Sequence, residues 1–476
     1  MRYYSLKRKS PDVSFQEAVI NGLAPDRSLY FPESISLLSK KFFENIGQYT
    51  NEEIAYHAIK QFIGDEIPKD VLQGIIQNTL YFDFPIIPIN DSISTLELFH
   101  GPTMSFKDVG AAFMASCLGY FNKNNNDKLT VLVATSGDTG GAVARGFLGI
   151  KGIEVVILYP SGKVSDIQER QLTTLGQNIS AIQLDGSFDD CQEMVKKAFL
   201  DNQIERKITS ANSINIARWL PQMFYYFIAY KQVYKQKKDI VFSVPSGNFG
   251  NICAAIMTKK LGLPIKHFIA STNINDTVPN YLAKGVYDPK PSKVTISNAM
   301  DVGKPSNFIR IQQLFNNDLS SLKKLFSAYS FTDKETKNAM QQIHKNSKYL
   351  ADPHGAVGYL GAKLFQKKNP KSLCIFLETA HPVTSAVARA LLLARDPQRV
   401  RVHALMQPTP HPNQQSLGCH LEQPSRLEGG QRAACPAAPR SSDDPQIGRR
   451  YVFHQDGPDG LSASAHTRGA AAPARD

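Results

Sequence analysis

Apolar and polar positions along this chain of 476 residues repeat one pattern: a short apolar run, a polar loop rich in glycine or hydroxyls, then a helical run. Residues 129–134 (LTVLVA) read as a strand, followed by Thr135-Ser136-Gly137-Asp138-Thr139-Gly140-Gly141 and a helix from Ala142 to Leu148. Residues 240–244 (IVFSV) lead into Pro245-Ser246-Gly247-Asn248-Phe249-Gly250-Asn251 and a helix from Ile252 to Leu261. Residues 373–377 (LCIFL) lead into Glu378-Thr379-Ala380-His381-Pro382. A short strand near Leu96-Phe99 leads through His100-Gly101-Pro102-Thr103-Met104-Ser105-Phe106-Lys107-Asp108 into a helix from Val109 to Phe121. Continuous apolar strands alternating with helices predict an α/β fold with parallel sheets. In such sheets ligands sit beyond the carboxyl ends of the strands, so four polar loops at those ends predict one shared site. Residues 1–85 read instead as helices with turn punctuation, with Ser14 and Glu17 spaced as a capping box and a second helix over Asn51–Phe62.

Composition changes this picture at one place. Up to Pro382 the chain holds 35 Lys against 8 Arg; after Lys371 it has no lysine, and 11 Arg follow from Thr384 onward. The segment 384–476 is rich in Pro, Ala, Arg, Ser and Gly, with little periodic apolar content, and is predicted to be largely disordered. The shift from Lys and Asn to Ala, Arg and Pro reads as a segment foreign to the body through a frameshift, a fusion or an assembly error. A genuine low-complexity extension is the competing reading. The length allows two to four domains.

Charge and cysteines exclude more than they assign. The formal net charge is +12, but it is spread along the chain, and the short cluster at Lys235–Lys238 reads as solvated surface. No basic-aromatic stripe suggests nucleic acid. The six cysteines show no CxxC pair and no histidine at metal spacing, so reduced buried thiols are expected and no metal site. The N-terminus lacks an apolar signal region, and no apolar run approaches 18 residues. A cytoplasmic enzyme without a membrane partner is the expectation.

The loops themselves carry the candidate chemistry. In 245–251 two glycines allow close backbone approach, and a helix N-terminus offers free N–H groups suited to phosphate; a plain strand-to-helix turn is the alternative. Loop 135–141 adds hydroxyl and carboxyl groups to the same construction, suited to a carboxylate or phosphate, or else serving only to cap the helix. Lys107 falls in the first turn of a predicted amphipathic helix with apolar face Val109, Phe113, Cys117 and Leu118. The positive end of the helix dipole should lower its pKa and favour the free amine that Schiff-base chemistry needs. A lone lysine is otherwise ordinary surface.

Pro102-Thr-Met-Ser-Phe-Lys107-Asp108, Thr135-Ser-Gly-Asp-Thr-Gly140 and Ser246-Gly-Asn-Phe-Gly-Asn251 resemble the lysine, substrate-carboxylate and cofactor-phosphate motifs of the tryptophan-synthase-β-like (fold type II) enzymes, which use pyridoxal 5′-phosphate (PLP). Within that group the chain resembles the threonine synthase family. The matching segments are Tyr3-Tyr4-Ser5, Leu23–Asp26 with Leu29–Pro32, Ala112–Ala115, Ser210–Asn215 with Arg218, Asp352–Gly358 and Glu378–Pro382. The resemblance covers roughly residues 1–383. It implies two parallel-sheet lobes, the smaller at roughly 129–235, within a catalytic region 86–383 behind an N-terminal module 1–85. It implies that Lys107, next to Phe106, carries PLP. Gly247, Asn248, Phe249, Gly250 and Asn251 would hold the PLP phosphate, and Thr379 the ring nitrogen. Thr135, Ser136, Gly137, Asp138 and Thr139 would hold the substrate α-carboxylate. Asn215 and Arg218 are candidates for the substrate phosphate, Arg because its planar fork matches phosphate oxygens; the alternative for Arg218 is a buried interdomain ion pair. Lys163 is a weaker phosphate candidate. His354 and His381 read as packing or capping residues rather than acid–base groups. The implied reaction is O-phospho-L-homoserine plus water giving L-threonine plus phosphate, by a monomer or a homodimer.

Two departures stand against the family pattern. Arg27-Ser28 replaces glycines in a turn, and from Thr384 an ordered C-terminal segment is replaced. Three rival readings follow: a related PLP lyase acting on serine, threonine or cysteine precursors; a phospho-lyase releasing a keto acid; and a non-catalytic PLP-binding protein.

Overall fold

The computed structural model describes residues 1–124, 128–199, 201, 203–385, 387, 388 and 390, and the backbone of the strands Arg450–Gln455 and Leu461–Ala465. Two sheets organise it. The larger runs, in order, Phe326–Ser330, His267–Thr272, Asp239–Pro245, Ser372–Glu378, Ile93–Glu97 and Ile86–Pro88. All its pairings are parallel except that of the edge strand Ile86–Pro88. The smaller runs from Lys207–Ser210 through Leu129–Ala134 and Ile153–Pro160 to Ile179–Leu184, all parallel. Parallel α/β sheets thus follow from the strand–loop–helix repeat, and their division into two lobes is what the resemblance implied. Strands such as Leu129–Ala134 and Ser372–Glu378 are buried throughout, which is why they read as unbroken apolar runs instead of alternating ones.

The smaller sheet continues beyond Ile179–Leu184 with Arg450–Gln455, parallel to it, and Leu461–Ala465, antiparallel to that strand. The expectation of a largely disordered tail is not met over these two strands; most of 391–476 otherwise lies outside the described residues, including Cys419 and Cys435. The remaining cysteines, Cys117, Cys191, Cys253 and Cys374, are free and buried. No described helix is long and apolar enough to cross a membrane.

In the N-terminal part, helices Phe15–Asn21 and Asn51–Ile63 both start at complete capping boxes, Ser14 with Glu17 and Thr50 with Glu53. Helices Lys40–Glu44 and Lys69–Thr79 complete the set. A two-stranded antiparallel sheet, Tyr3–Ser5 with Tyr30–Pro32, was not anticipated; strands of three residues are too short to show a period.

The helix Lys107–Asn122 corrects the expectation of an amphipathic element. Val109, Phe113, Cys117 and Leu118 are buried, but so are Gly110, Ala111, Ala112, Met114 and Ala115 on its other sides. Helices Phe15–Asn21, Lys69–Thr79, Asp138–Phe147 and Ile216–Trp219 all pack on it. Small residues make that possible: a Cβ on Gly110 would lie 2.6 Å from the Arg218 carbonyl oxygen. The first residue of this helix is therefore held from several directions, which is what a reactive side chain needs.

Arg27 adopts φ +60° in the turn where glycine was expected, with its own N–H donated to the Ala24 carbonyl at 2.8 Å. A Cβ in the left-handed region costs about 1–2 kcal/mol, and glycine's extra freedom in the unfolded chain returns about 0.4–1 kcal/mol of that. Arg27→Gly is therefore expected to stabilise the protein by roughly 1 kcal/mol, read as a higher urea midpoint at unchanged slope. An unchanged or lower midpoint would count against strain at this turn.

Candidate active site

The polar loops meet at one cavity of about 620 Å³ between the lobes. Its walls include Phe106, Lys107, Ser136, Asp138, Thr139, Arg218, Gly247 to Asn251 and Thr379. The loop carrying Lys107 is laced to the end of the strand Ser372–Glu378 by main-chain bonds. Phe106 N–H donates to the Thr379 carbonyl at 2.9 Å, His381 N–H to the Met104 carbonyl at 2.9 Å, and Leu98 N–H to the Glu378 carbonyl at 3.0 Å. Lys107 and Thr379 are thus set against each other by backbone.

Lys107 Nζ lies 3.7 Å from Asp138 Oδ2, with its side chain mostly covered. Burial pushes its amine below the usual lysine value; the Asp138 carboxylate opposes this and the Arg218 guanidinium adds to it. The direction matches the sequence argument, and burial is its largest cause. Arg218 is buried, and burial pushes it down to about 10 against the pull of Asp108. Its Nη1 donates to the Ala211 carbonyl, while its Nε has no hydrogen-bond partner. It is a cavity-lining cation with an unused donor, not half of a close ion pair. Asp108 is itself buried, and burial raises it to about 6 although Thr103 N–H and Oγ1–H donate to its oxygens at 3.0 and 2.5 Å.

In the larger lobe, Phe249 at φ +60° starts the helix Gly250–Lys260 without a side-chain cap, leaving its first N–H groups free of side-chain partners. A Cβ on Gly247 would lie 2.9 Å from Met300 Cα and 3.0 Å from the Ala299 carbonyl oxygen. Asn251 Oδ1 accepts from the hydroxyls of Tyr225 and Tyr226 at 2.7 and 2.6 Å, which fixes the amide and leaves its buried Nδ2 with no acceptor. Asn248 is held by Ser306, whose N–H and Oγ–H donate to its Oδ1 at 3.3 and 3.2 Å.

Not every predicted site residue faces the cavity. Thr135 sits inside its loop: its Oγ1 accepts from the N–H groups of Gly137 and Gly140 at 3.0 and 2.8 Å. Gly137, at φ +136°, shapes the loop where a Cβ would meet the Gln168 side chain at 2.4 Å. Asp138 uses Oδ1 on Gln168 and turns Oδ2 to Lys107, so towards an anion it can offer only its N–H. Asn215 is wholly buried away from the cavity: its Nδ2 donates to the carbonyls of Val19 and Ser210 at 2.8 and 3.2 Å, and its Oδ1 caps a helix at Ala217 N–H, 3.0 Å. Its capacity is spent on backbone. Lys163 does line the cavity. His381 caps a short turn, its Nδ1 accepting from Val383 N–H at 3.1 Å. His354 lines the cavity, unlike a packing histidine. Sequence reasoning missed Asn212, Ser213, Asp189 and the wall 298–302; the last has only a single short helical turn and so carried no periodic signal.

The residues present fit PLP. The unpartnered Asn251 Nδ2, the free N–H groups at Gly250 and the glycine cradle at 247 suit a phosphate, and Lys107 has the lowered amine that imine formation needs. A family model for "Pyridoxal-phosphate dependent enzyme" matches residues 94–377, so the site and fold are those of a PLP-dependent enzyme of fold type II. A second model, "Threonine synthase N terminus", matches residues 2–80. Threonine synthase of Buchnera aphidicola is 46% identical over 386 residues, covering 80% of this chain and 89% of its own length. The crystal structure of threonine synthase from Escherichia coli superposes with TM-score 0.77 at 41% identity, covering 83% of this chain and 91% of that one. The PLP-bound threonine synthase from Brucella melitensis gives 0.77 at 32%, covering 82% and 91%. The chain belongs to the threonine synthase family, and its cofactor is PLP.

Because the two nearest neighbours of a Gly247 Cβ are backbone atoms, they cannot swing aside. Gly247→Ala is expected to weaken PLP binding at least tenfold, about 1.4 kcal/mol, in a fluorescence titration of the folded apoprotein. Wild-type affinity in the variant would remove the close-approach argument.

Proposed function

We propose that this lyase converts O-phospho-L-homoserine and water to L-threonine and phosphate in the cavity around Lys107. The observation that carries the reading is a buried guanidinium, Arg218, lining one cavity with a lysine whose amine is depressed. A phosphate on the substrate would neutralise the Arg218 charge; an unphosphorylated amino acid would leave it an uncompensated buried cation. The rival PLP lyases acting on serine, threonine or cysteine precursors have no need of such a group.

The division of work follows from position. Gly247, Asn248, Phe249, Gly250 and Asn251 would hold the cofactor phosphate, and the Thr379 hydroxyl the ring nitrogen, with Phe106 fixing the loop beside it. PLP, when bound, supplies the electron sink that makes the substrate Cα–H acidic. Lys107 Nζ would hold the cofactor covalently, and once displaced by the substrate amine would take the proton from Cα and later return it. A neutral amine is required for that, and burial favours it. Asp138 Oδ2, 3.7 Å away, is placed to steady Nζ when it carries the proton. Ser136, Thr139 and the N–H of Asp138 would hold the α-carboxylate, with Gly137 shaping the loop. When the Cγ–O bond breaks, its electron pair leaves with phosphate, and Arg218 would stabilise that charge. A proton lost from Cβ supplies the electron pair that replaces the Cγ–O bond, and Cγ then takes up a proton; the water that adds next places hydroxyl on Cβ, and its remaining proton balances the phosphate released. The same reading treats 1–85 as an N-terminal module and 86–383 as the catalytic region, and places the enzyme in the cytoplasm as a monomer or homodimer.

Lys107→Ala is expected to lose both the covalently bound cofactor's visible band and threonine formation. Arg218→Gln is expected to keep the band while the KM for O-phospho-L-homoserine and the inhibition constant for inorganic phosphate rise at least tenfold. An Arg218→Gln enzyme with wild-type KM would exclude the phosphate role, and a keto acid in place of threonine would exclude the reaction.

A further inference from the structure

His354 stands at the start of the helix Pro353–Lys368, whose cap is Asp352. Asp352 divides its carboxylate: Oδ1 accepts from Gly355 N–H at 2.7 Å, and Oδ2 lies 2.5 Å from His354 Nδ1. His354 Nε2 faces the N–H of Ala299 at 3.3 Å. A backbone amide only donates, so Nε2 accepts, and the single ring proton sits on Nδ1 and goes to Asp352. Ala299 and Met300 are the residues that press on Gly247. The imidazole therefore ties the helix at 353 to the wall 298–302, and that wall backs the loop 247–251.

The wall has one other side-chain anchor close by. Asp301 accepts from Thr295 N–H and Oγ1–H at 3.0 and 2.7 Å and from Asn273 Nδ2 at 2.8 Å. Asp301 fixes the far side of the wall, and His354 the side that meets Gly247. Below His354, Asp352 N–H donates to Glu378 Oε1, and burial together with the Asp352 charge raises Glu378 well above the usual carboxylate range. Glu378 directly precedes Thr379. The pieces that would grip the two ends of the cofactor are thus joined through Glu378, Asp352, His354 and Ala299.

We propose that His354 is a positioning residue for cofactor binding: its neutral imidazole, oriented by Asp352, accepts the Ala299 N–H and holds the 298–302 wall against the phosphate loop. This rests on the reading of 247–251 as that loop. A proton on Nε2 would set one N–H against another and release the wall. The groups that face the ring are Asp352 on its own helix, Asp301 on the wall, Asp138 and Lys107 across the cavity, and Glu378 behind Asp352. Burial alone would lower the imidazole, but Asp352, with Asp138 behind it, outweighs burial and Lys107, and the net direction is up. Cofactor affinity is then full above that raised value and falls as the pH drops through it, on the neutral side of an ordinary histidine.

The test is PLP affinity of the apoprotein by fluorescence titration across pH, for wild type, His354→Gln and His354→Ala. Gln places an acceptor near the position of Nε2 but takes up no proton. His354→Ala is expected to bind PLP about tenfold more weakly above the limb, the fold-change of one lost hydrogen bond. His354→Gln is expected to regain most of that and to lose the acid limb that wild type shows; a limb belonging to Lys107 would persist in all three. Gln binding as weakly as Ala, or three identical affinity profiles, would overturn the proposal. Absence of PLP binding by wild type would instead overturn the reading of the site itself.

Discussion

The structure turns on keeping two cations, Lys107 and Arg218, in one largely covered cavity. Neither group tolerates this easily. Burial lowers both, and each guanidinium–ammonium approach lowers the lysine further. Full compensation by carboxylates would restore ordinary values and leave a site with no appetite for anions. The protein compensates partly: Asp138 stands 3.7 Å from the lysine amine, and Asp108 acts on Arg218 while burial weakens its own ionisation. What is left over is positive, in the cavity where the proposed reading puts phosphate and carboxylate groups, together with a lysine that yields its proton readily.

Such a balance depends on where the charges are held, and the backbone does that work. Lys107 is fixed because its helix is walled on all sides and its preceding loop is laced to Thr379 by main-chain bonds. Glycine is required at Gly110, where Arg218's own carbonyl presses on the helix, and at Gly247, where the wall 298–302 presses on the loop 247–251. Substitutions at either place would move a charged or anion-binding group without touching it.

The strands and the loops that follow them were legible because a buried parallel strand is a continuous apolar run and its loop is where such runs stop. The strand 129–134 matches to the residue, and the helices after it begin within the loops, at Asp138 and Gly250, a few residues before the apolar pattern starts. Their first turns are polar and glycine-rich because they face the cavity, so the apolar period starts late. Asn215 misled for the opposite reason. Its neighbours in sequence do line the cavity, but whether an amide points in or back depends on the carbonyl of Val19, 196 residues away. The contact of His354 with Ala299, 55 residues distant, lies in a segment without periodic pattern and so left no trace in the sequence. Lacing between distant segments leaves no mark on local sequence.

The same long-range contacts give the N-terminal part a purpose beyond stability. Val19 accepts from both Asn215 Nδ2 and Thr209 Oγ1, and Gly22 sits against the Ser210 N–H. Arg310, wholly buried over the Trp219 ring, donates to the Tyr30 carbonyl on one side and the Ile214 carbonyl on the other. Helix Phe15–Asn21 and strand Tyr30–Pro32 therefore clamp the segment 209–219 from two directions. That segment carries Asn212, Ser213 and Arg218 into the cavity. A guanidinium buried with an unused donor stays in place only if its backbone cannot retreat to let it reach water, and it is the N-terminal part that denies the retreat. The cation proposed to meet the substrate phosphate thus depends on residues outside the cavity lining.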